Sequence, residues 1–318
     1  MNLKNLQMIK KFNPFLIPFF LVLIIIFGVS ACKSENKKAS QDVNIEDFVT
    51  EDDIFDDIDK AKKIFYSLPS PLETAMLIKS AGAEYDEVLL NSLENTTKYT
   101  TNKAMALNLG IYTTDLSFAS LFDQTQTSIN YMTAAKKMAE GLDINDAIDN
   151  ETMTRLENNL QNRDVVMDII SETFLNSSSY LKENERQDIA AIVLVGGWIE
   201  GLYLATKLVG DKSIENNKLV DRILEQKLSF NIVQRMLDDN KEKASGESNE
   251  EIIDLIAELQ ELKKAFDKVT VETTSSKLDT TAVSKVTTIK SQTKVSVTPE
   301  GFKQIQLVVN NLRTSFIQ

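Results

Sequence analysis

The chain has 318 residues, with 47 acidic against 35 basic side chains and no histidine, so its formal net charge is −12. This acidic balance argues against nucleic-acid binding, for which a basic patch is expected. The absence of histidine excludes a Ser-His-Asp triad, a histidine-ligated zinc or haem, and a histidine general base.

The first 31 residues have the layout of a secretory signal. Lys4, Lys10 and Lys11 form a basic head, residues 15–29 are almost wholly apolar, and small residues follow. This order is typical of a signal peptide, and the apolar core is shorter than the roughly 20 residues of a membrane span. We therefore expect residues 1–31 to be a signal peptide that is removed.

The sequence "VSAC" at the end of that segment contains Cys32, the only cysteine of the chain. It resembles the bacterial lipobox, which implies cleavage before Cys32 and lipidation of this residue. Two or three acyl chains anchor a protein stably in a membrane, whereas one does so weakly. The alternatives are a buried thiol or a plain signal peptide with a chance cysteine. A disulfide is excluded, since no second cysteine exists.

The rest of the chain is predicted to be a tether followed by one helical domain. Residues 32–50 are polar without a helical stripe and are expected to be a flexible tether. Residues 51–318 are predicted to form a single all-helical domain. No proline lies between residues 72 and 298, where it would break helices.

Helix starts and apolar stripes support this fold class. "SPLE" places Ser70 as N-cap, Pro71 at the first helical position and Glu73 in a capping box. "SNEE" suggests a second box, and "TPEG" the start of the last helix. Apolar residues recur every three or four positions along several segments. The sequence therefore predicts an all-α multi-helix bundle. One such stripe is Ile252, Leu255, Leu259, Leu262 and Phe266.

Two segments, residues 107–122 and 193–208, are apolar on all sides. Gly110 aligns with Gly196 at an offset that also pairs aromatic and aliphatic positions. Two related helical units are one interpretation, and chance similarity between apolar helices is the other. Gly197 and Gly201 have the GxxxG spacing of dimerising membrane helices. Glu200 lies between them, which favours a buried central helix.

The two apolar segments also carry the best candidate pocket, which consists of Tyr112, Asp115, Trp198, Glu200 and Tyr203. Paired carboxylates can perform general acid–base chemistry, as in glycoside hydrolysis. The alternative is structural: each acid hydrogen-bonds a tyrosine hydroxyl or lies at the edge of its helix, because buried acids need partners in any fold. No phosphate-binding loop is present, so no cofactor is expected.

An acidic run, "EDDIFDDIDK" at residues 51–60, raises the question of calcium. It lacks the central glycine and terminal glutamate of an EF-hand loop. Acids at a helix N-terminus favour the macrodipole, and the apolar residues within the run suit an amphipathic helix. We therefore expect a helix start and no metal site.

Residues 271–298 change in character and are rich in Thr, Ser, Val and Lys. This insert is expected to be a short hairpin or an irregular loop. Within it, Asp279-Thr280-Thr281 resembles the O-glycosylation signal of Bacteroidota, which makes Thr280 a candidate glycosylation site.

The phrases "SLPSPLETA", "SLFDQTQ" and "GGWIEGLYLA", together with the lipobox, resemble a group of helical lipoproteins of Bacteroidota. The resemblance implies an outer-membrane address and brings no assigned activity. "KSENKK" after Cys32 lacks the acidic run of surface-export signals, which favours a periplasm-facing anchor over the cell surface.

Two function classes follow. The first is a non-enzymatic helical module that is lipid-anchored through Cys32 and binds a protein or small ligand at the envelope. The alternative is a carboxylate-dependent enzyme acting on the cell wall or on glycans.

Overall fold

A computed structural model describes residues 70–144, 150–159, 162–243, 246–275 and 291–318. Almost all of these residues are helical, which confirms the all-α bundle. The ten α-helices of the described residues are α1 (Pro71–Ser80), α2 (Asn102–Leu121), α3 (Thr125–Gly141), α4 (Asn150–Asn159), α5 (Arg163–Glu183), α6 (Gln187–Val209), α7 (Lys218–Lys243), α8 (Glu247–Glu258), α9 (Gln260–Asp267) and α10 (Pro299–Phe316). Two short 3-10 helices, Glu87–Leu89 and Leu93–Thr97, precede α2.

Two of the three predicted helix starts are confirmed, and each has the predicted side-chain cap. The Ser70 hydroxyl accepts a hydrogen bond from the backbone N–H of Glu73 at 3.2 Å, and the Ser70 N–H donates to the Glu73 carboxylate at 2.7 Å. Thr298 caps α10 in the same manner, by accepting from the Gly301 N–H at 3.1 Å. Each cap satisfies backbone donors that the first helical turn leaves without partners.

The predicted capping box in "SNEE" is wrong. The N-cap of α8 is Gly246, and the helix already includes Ser248. Glu251 instead reaches across to α2, where its carboxylate accepts from the backbone N–H of Lys103 at 3.0 Å. A carboxylate at a helix N-terminus complements the macrodipole, so Glu251 stabilises a helix distant in sequence.

The two apolar helices α2 and α6 form the centre of the bundle and share its most extensive helix–helix contact. A Cβ atom on Gly110 would overlap the carbonyl oxygen of Val193, and one on Gly196 would overlap that of Leu107. Gly110 thus faces the residue three positions before Gly196, and Gly196 faces the residue three positions before Gly110. Equivalent positions of the two helices therefore face each other, as in a pair related by a two-fold axis. This agrees with the internal alignment of the two helices.

In the part of the chain that the structure describes, one helix, α6, is long and apolar enough to cross a membrane. Its most apolar window is wholly buried within the bundle. The burial confirms the expectation of a central core helix at the GxxxG spacing. The other helices pack around α2 and α6 through one apolar stripe each.

The Thr/Ser-rich insert contains two strands, β1 (Thr270–Ser275) and β2 (Ser291–Ser296). They pair antiparallel with Thr270 opposite Ser296 and Ser275 opposite Ser291. A hairpin is therefore the alternative that the structure shows. The candidate glycosylation site Thr280 lies outside the described residues, as do Cys32 and the acidic run at residues 51–60.

Candidate functional site

Three ionisable side chains meet where α2, α6 and α10 pack together, and we call Asp115, Glu200 and Arg313 the acid–arginine cluster. The Arg313 guanidinium binds the Glu200 carboxylate through two hydrogen bonds, from Nε to Oε2 at 3.0 Å and from Nη2 to Oε1 at 3.2 Å. Both acids are 0% exposed, and Arg313 is 6% exposed. Such bidentate, charge-assisted pairs are the strongest and most specific hydrogen bonds in proteins.

Asp115 is held differently. Its Oδ2 accepts a hydrogen bond from the backbone N–H of Asn91 at 3.0 Å. Its Oδ1 is buried and receives no hydrogen bond from a nitrogen or hydroxyl donor. Its ionisable neighbours are Glu200, whose negative charge raises the pKa of Asp115, and Arg313, whose positive charge lowers it. Both carboxyl groups are buried and the Arg313 guanidinium is bound to Glu200, so a proton on one of the two acids avoids a second buried negative charge.

The electrostatics identify Asp115 as the protonated acid. Burial raises the pKa of Asp115 well above its ordinary value, and the negative charge of Glu200 raises it further. Burial also raises the pKa of Glu200, but the Arg313 charge and its hydrogen bonds oppose that rise. Glu200 is thus the acid with a cationic partner. With Asp115 neutral, the cluster has no net charge, which avoids the large cost of a buried uncompensated ion.

A shell of tyrosines and amides surrounds the cluster. Tyr112 donates from Oη to the Ser92 carbonyl at 2.9 Å, and Tyr131 donates to the Asn91 carbonyl at the same distance. The Asn91 side chain donates to Tyr99 Oη at 3.1 Å and to Asn108 Oδ1 at 3.0 Å. These bonds tie residues 91 and 92 to the central helix, so the short segment before α2 becomes part of the core.

The chain's C-terminal turn is held by the same shell. Asn108 donates from Nδ2 to the Phe316 carbonyl at 2.8 Å, and Tyr99 donates to the Ile317 carbonyl at 3.4 Å. Arg313 also donates from Nη2 to the Leu89 carbonyl at 3.2 Å. Carbonyls at a helix C-terminus lack intrahelical partners, and these contacts supply them.

Four of the five predicted pocket residues lie in or against the cluster. Asp115 and Glu200 belong to it, and Tyr112 lies in the tyrosine shell. The Tyr203 ring lies 4.5 Å from the Arg313 guanidinium carbon, which is a cation–π contact. Trp198 lies outside the cluster.

Trp198 contributes to a different part of the core. Its Nε1 donates to Gln226 Oε1 at 3.0 Å, and its ring packs with centroid distances of 6.0 Å to Phe230 and 6.5 Å to Phe266. These contacts join α6 to α7 and α9. The tryptophan is therefore an aromatic core residue and does not face the carboxyl pair.

The sequence interpretation missed Arg313 as the partner of Glu200. A signal was present, because Arg313 lies four residues after Val309 and three before Phe316 on the apolar stripe of α10. A basic residue on the buried face of a helix requires an acidic partner elsewhere. The structural alternative for the acids had named tyrosine hydroxyls, whereas the observed partners are an arginine and a backbone N–H.

The geometry of the cluster differs from that of a hydrolytic site. One of its carboxyl groups is bound by a buried arginine and the other by a backbone N–H, whereas the carboxyl groups of glycosidases face a substrate cleft. Both acids are closed to solvent. Among the described residues, no group of three or more Asp, Glu, His or Cys side chains has the arrangement of a metal site.

A separate feature is open to solvent, and we call it the apolar groove. It lies between α2, α3, α5 and α6, and its cavity volume is about 30 Å³. None of its lining side chains is charged. They are Leu109, Thr113, Leu116, Met132, Ala135, Ile170, Thr173, Phe174, Ser177, Ser178, Leu181, Ala190 and Val193.

The hydroxyl groups of the groove do not make it strongly polar. Thr113 donates to the Leu109 carbonyl at 2.7 Å, Thr173 to the Ile169 carbonyl at 2.7 Å, and Ser177 to the Thr173 carbonyl at 2.8 Å. These protons are already used within the helices that carry them. The surface left for a ligand is therefore apolar, with hydroxyl oxygens as weak acceptors.

No family model, no curated protein and no solved structure matches this chain.

Proposed function

We propose that this chain is a lipid-anchored protein of the cell envelope whose helical body is a non-enzymatic binding module. The observation that carries the proposal is the closure of the acid–arginine cluster. The two carboxyl groups that were candidates for catalysis are 0% exposed, and they are bound by Arg313 on Glu200 and by a backbone N–H on Asp115. A general acid or base must reach the proton it transfers, and these groups reach only the protein interior.

The apolar groove is the binding site in this proposal, and its ligand is a small, uncharged, apolar molecule. Two features support that ligand class. The walls of the groove are mainly aliphatic, and it offers no charge to compensate a charged ligand. The groove is separate from the acid–arginine cluster, because none of the three cluster side chains lines the groove.

A titration with N-phenyl-1-naphthylamine, an uncharged apolar fluorophore, tests the binding site. The mature protein should give a saturable rise in fluorescence. Ala190→Phe, which fills the groove with a ring, should abolish saturation. The matched control Thr133→Phe adds the same ring on an exposed position of α3 outside the groove and should leave the titration unchanged. Equal titrations for the three proteins, or no saturable signal in any, would contradict the groove as a binding site.

The anchor is a separate part of the proposal, supported by "VSAC" after an apolar signal core. In its favour, lipidation holds a protein at a membrane without a transmembrane segment. The proposed place is the outer membrane with the body facing the periplasm, and the cell surface is the competing orientation. The polar residues 32–50 then serve as the tether between lipid and body.

Metabolic labelling with an alkyne fatty acid tests lipidation. We expect the wild type to incorporate the label and to fractionate with membranes. Cys32→Ala should incorporate none, because the only sulfur that can carry the diacylglycerol is removed. Labelling of Cys32→Ala at the wild-type level would show that the label is attached elsewhere, and absence of label in the wild type would show that the signal is an ordinary secretory one.

A further inference from the structure

We propose that the acid–arginine cluster is a proton-dependent latch: Asp115 and Glu200 share a single proton, and that proton keeps the last turn of α10 attached to the core. Loss of the proton as pH rises opens the latch and loosens the C-terminal end of the chain. The proposal is independent of the groove and of its ligand.

The hydrogen bonds of the carboxyl pair leave one oxygen without a donor. Asp115 Oδ1 is buried without a hydrogen-bond partner, and Glu200 is the acidic neighbour whose charge raises the pKa of Asp115. Each oxygen of Glu200 already accepts from Arg313. The protonated Asp115 carboxyl can donate to Glu200, which satisfies the orphaned oxygen, whereas the ionised form leaves two acceptors facing each other.

The charges of the cluster also favour a protonated Asp115. The guanidinium of Arg313 offsets one carboxylate, and it is committed to Glu200 by two hydrogen bonds. No second cation hydrogen-bonds or ion-pairs with either acid in the part of the chain that the structure describes. An ionised Asp115 would therefore be a second buried negative charge, which is strongly unfavourable.

The position of Arg313 near the end of α10 connects the cluster to the C-terminal turn. Arg313 is three residues before Phe316, and the carbonyls of Phe316 and Ile317 accept from Asn108 and Tyr99 of the surrounding shell. When Asp115 ionises, repulsion from Glu200 and entry of water compete with the Arg313–Glu200 pair. The helix that carries Arg313 then loses the ion pair that joins it to the core, so α10 is the element that should loosen first.

Other titratable groups face the cluster from the elements packed around it. Those from the segment before α2 are Tyr85, Asp86, Glu87 and Tyr99, and those from α2, α3 and α6 are Tyr112, Tyr131 and Tyr203. Burial raises the pKa of Tyr85 to about 12 and also raises those of Tyr99, Tyr112, Tyr131 and Tyr203. These tyrosines stay neutral across the neutral range, so the carboxyl pair titrates before them.

The sign of the pH dependence follows from this assignment. In the unfolded chain Asp115 ionises near pH 3.9, its ordinary value, whereas in the folded chain it keeps its proton to a higher pH. The folded state then binds one more proton than the unfolded state. Stability from this group is fully present below about pH 4 and is lost as pH rises, by about tenfold in the unfolding equilibrium constant per pH unit.

Asp115→Asn tests the latch, because the amide mimics the protonated acid. Its NH₂ can donate to Glu200 while its oxygen accepts from the Asn91 N–H. The unfolding equilibrium of the mature protein is measured by denaturant between about pH 5 and about pH 8. We expect the folded-to-unfolded ratio of Asp115→Asn to rise relative to that of the wild type by about tenfold per pH unit. The rise should end at the pH at which Asp115 ionises in the folded wild type. Asp254→Asn, an exposed acid on α8, is the matched control and should follow the wild type.

Two further readouts separate the latch from a general stability effect. Difference infrared spectroscopy at neutral pH should show the C=O stretch of a buried carboxylic acid in the wild type and lose it in Asp115→Asn. At alkaline pH, hydrogen exchange of α10 should be faster in the wild type than in Asp115→Asn. A stability difference that does not vary with pH, or a wild-type spectrum without that band, would overturn the proposal.

Discussion

Arg313→Met is expected to lower the free energy of unfolding by about 3–5 kcal/mol at neutral pH, which is the usual cost of removing one partner from a buried ion pair. Methionine fills much of the same volume, so the loss comes from charge and hydrogen bonding. Glu200 would remain buried without its cation, and the Leu89 carbonyl would lose its donor. The helix α10 would lose its ion pair to α6 and keep the hydrogen bond from Gln306 to the Thr206 carbonyl.

The cost of Arg313→Met should depend on pH in a defined direction. Without the guanidinium, the pKa of Glu200 in the folded protein rises further above its unfolded value of about 4.3. The folded variant then takes up a proton that the unfolded variant lacks. Destabilisation relative to the wild type should therefore grow as pH rises above about 4 and shrink on acidification.

Chemical denaturation of both proteins at about pH 4.5 and about pH 7 measures this effect. Arg163→Met is the matched control, because Arg163 pairs with Asp164 on the surface at 3.4 Å and is 45% exposed. Exposed pairs contribute about 0–1 kcal/mol, so the control should be nearly neutral. A loss in Arg313→Met no larger than in the control would show that the buried pair does not stabilise the fold.

Gly196→Ala is expected to cost about 3 kcal/mol or more, although alanine is the better helix former by about 1 kcal/mol. The added Cβ would overlap the carbonyl oxygen of Leu107 and lie 2.8 Å from its carbonyl carbon. These are backbone atoms of the facing central helix, which cannot rotate away as a side chain can. The two helices would have to separate along their most extensive contact.

Gly141→Ala provides the control for that experiment. Its Cβ would meet the side chain of Met105, and the flexible thioether can change rotamer. We expect a change within about 1 kcal/mol in thermal or denaturant unfolding. A Gly196→Ala protein as stable as Gly141→Ala would contradict the close approach of α2 and α6.

The sequence predicted those features that depend on neighbours along the chain. The capping box at Ser70, the cap at Thr298 and the stripe from Ile252 to Phe266 each depend on spacings of three or four residues. The central position of α2 and α6 followed from their apolar character on all faces. The structure adds the close approach of the two helices at Gly110 and Gly196 and identifies the facing backbone atoms.

The missed features are contacts between residues far apart in sequence. Glu200 meets Arg313 across 113 positions, and Glu251 caps α2 at Lys103 across 148. A lone buried acid shows that a partner exists and does not show which one. The pairing is set by the packing of α10 against α6, and that packing is a property of the folded bundle. Trp198 illustrates the same limit, because it lies one turn or less from Glu200 in sequence but faces a different group of helices.

The most direct test of the account is the N-phenyl-1-naphthylamine titration carried out on Ala190→Phe and Asp115→Asn side by side. In our proposal the apolar groove binds the ligand, and the acid–arginine cluster has a structural role. We therefore expect Ala190→Phe to lose saturable binding. Asp115→Asn, folded and at neutral pH, should bind as the wild type does. Loss of binding in Asp115→Asn at unchanged stability, with binding retained in Ala190→Phe, would contradict it and return the carboxyl pair to the position of a functional site.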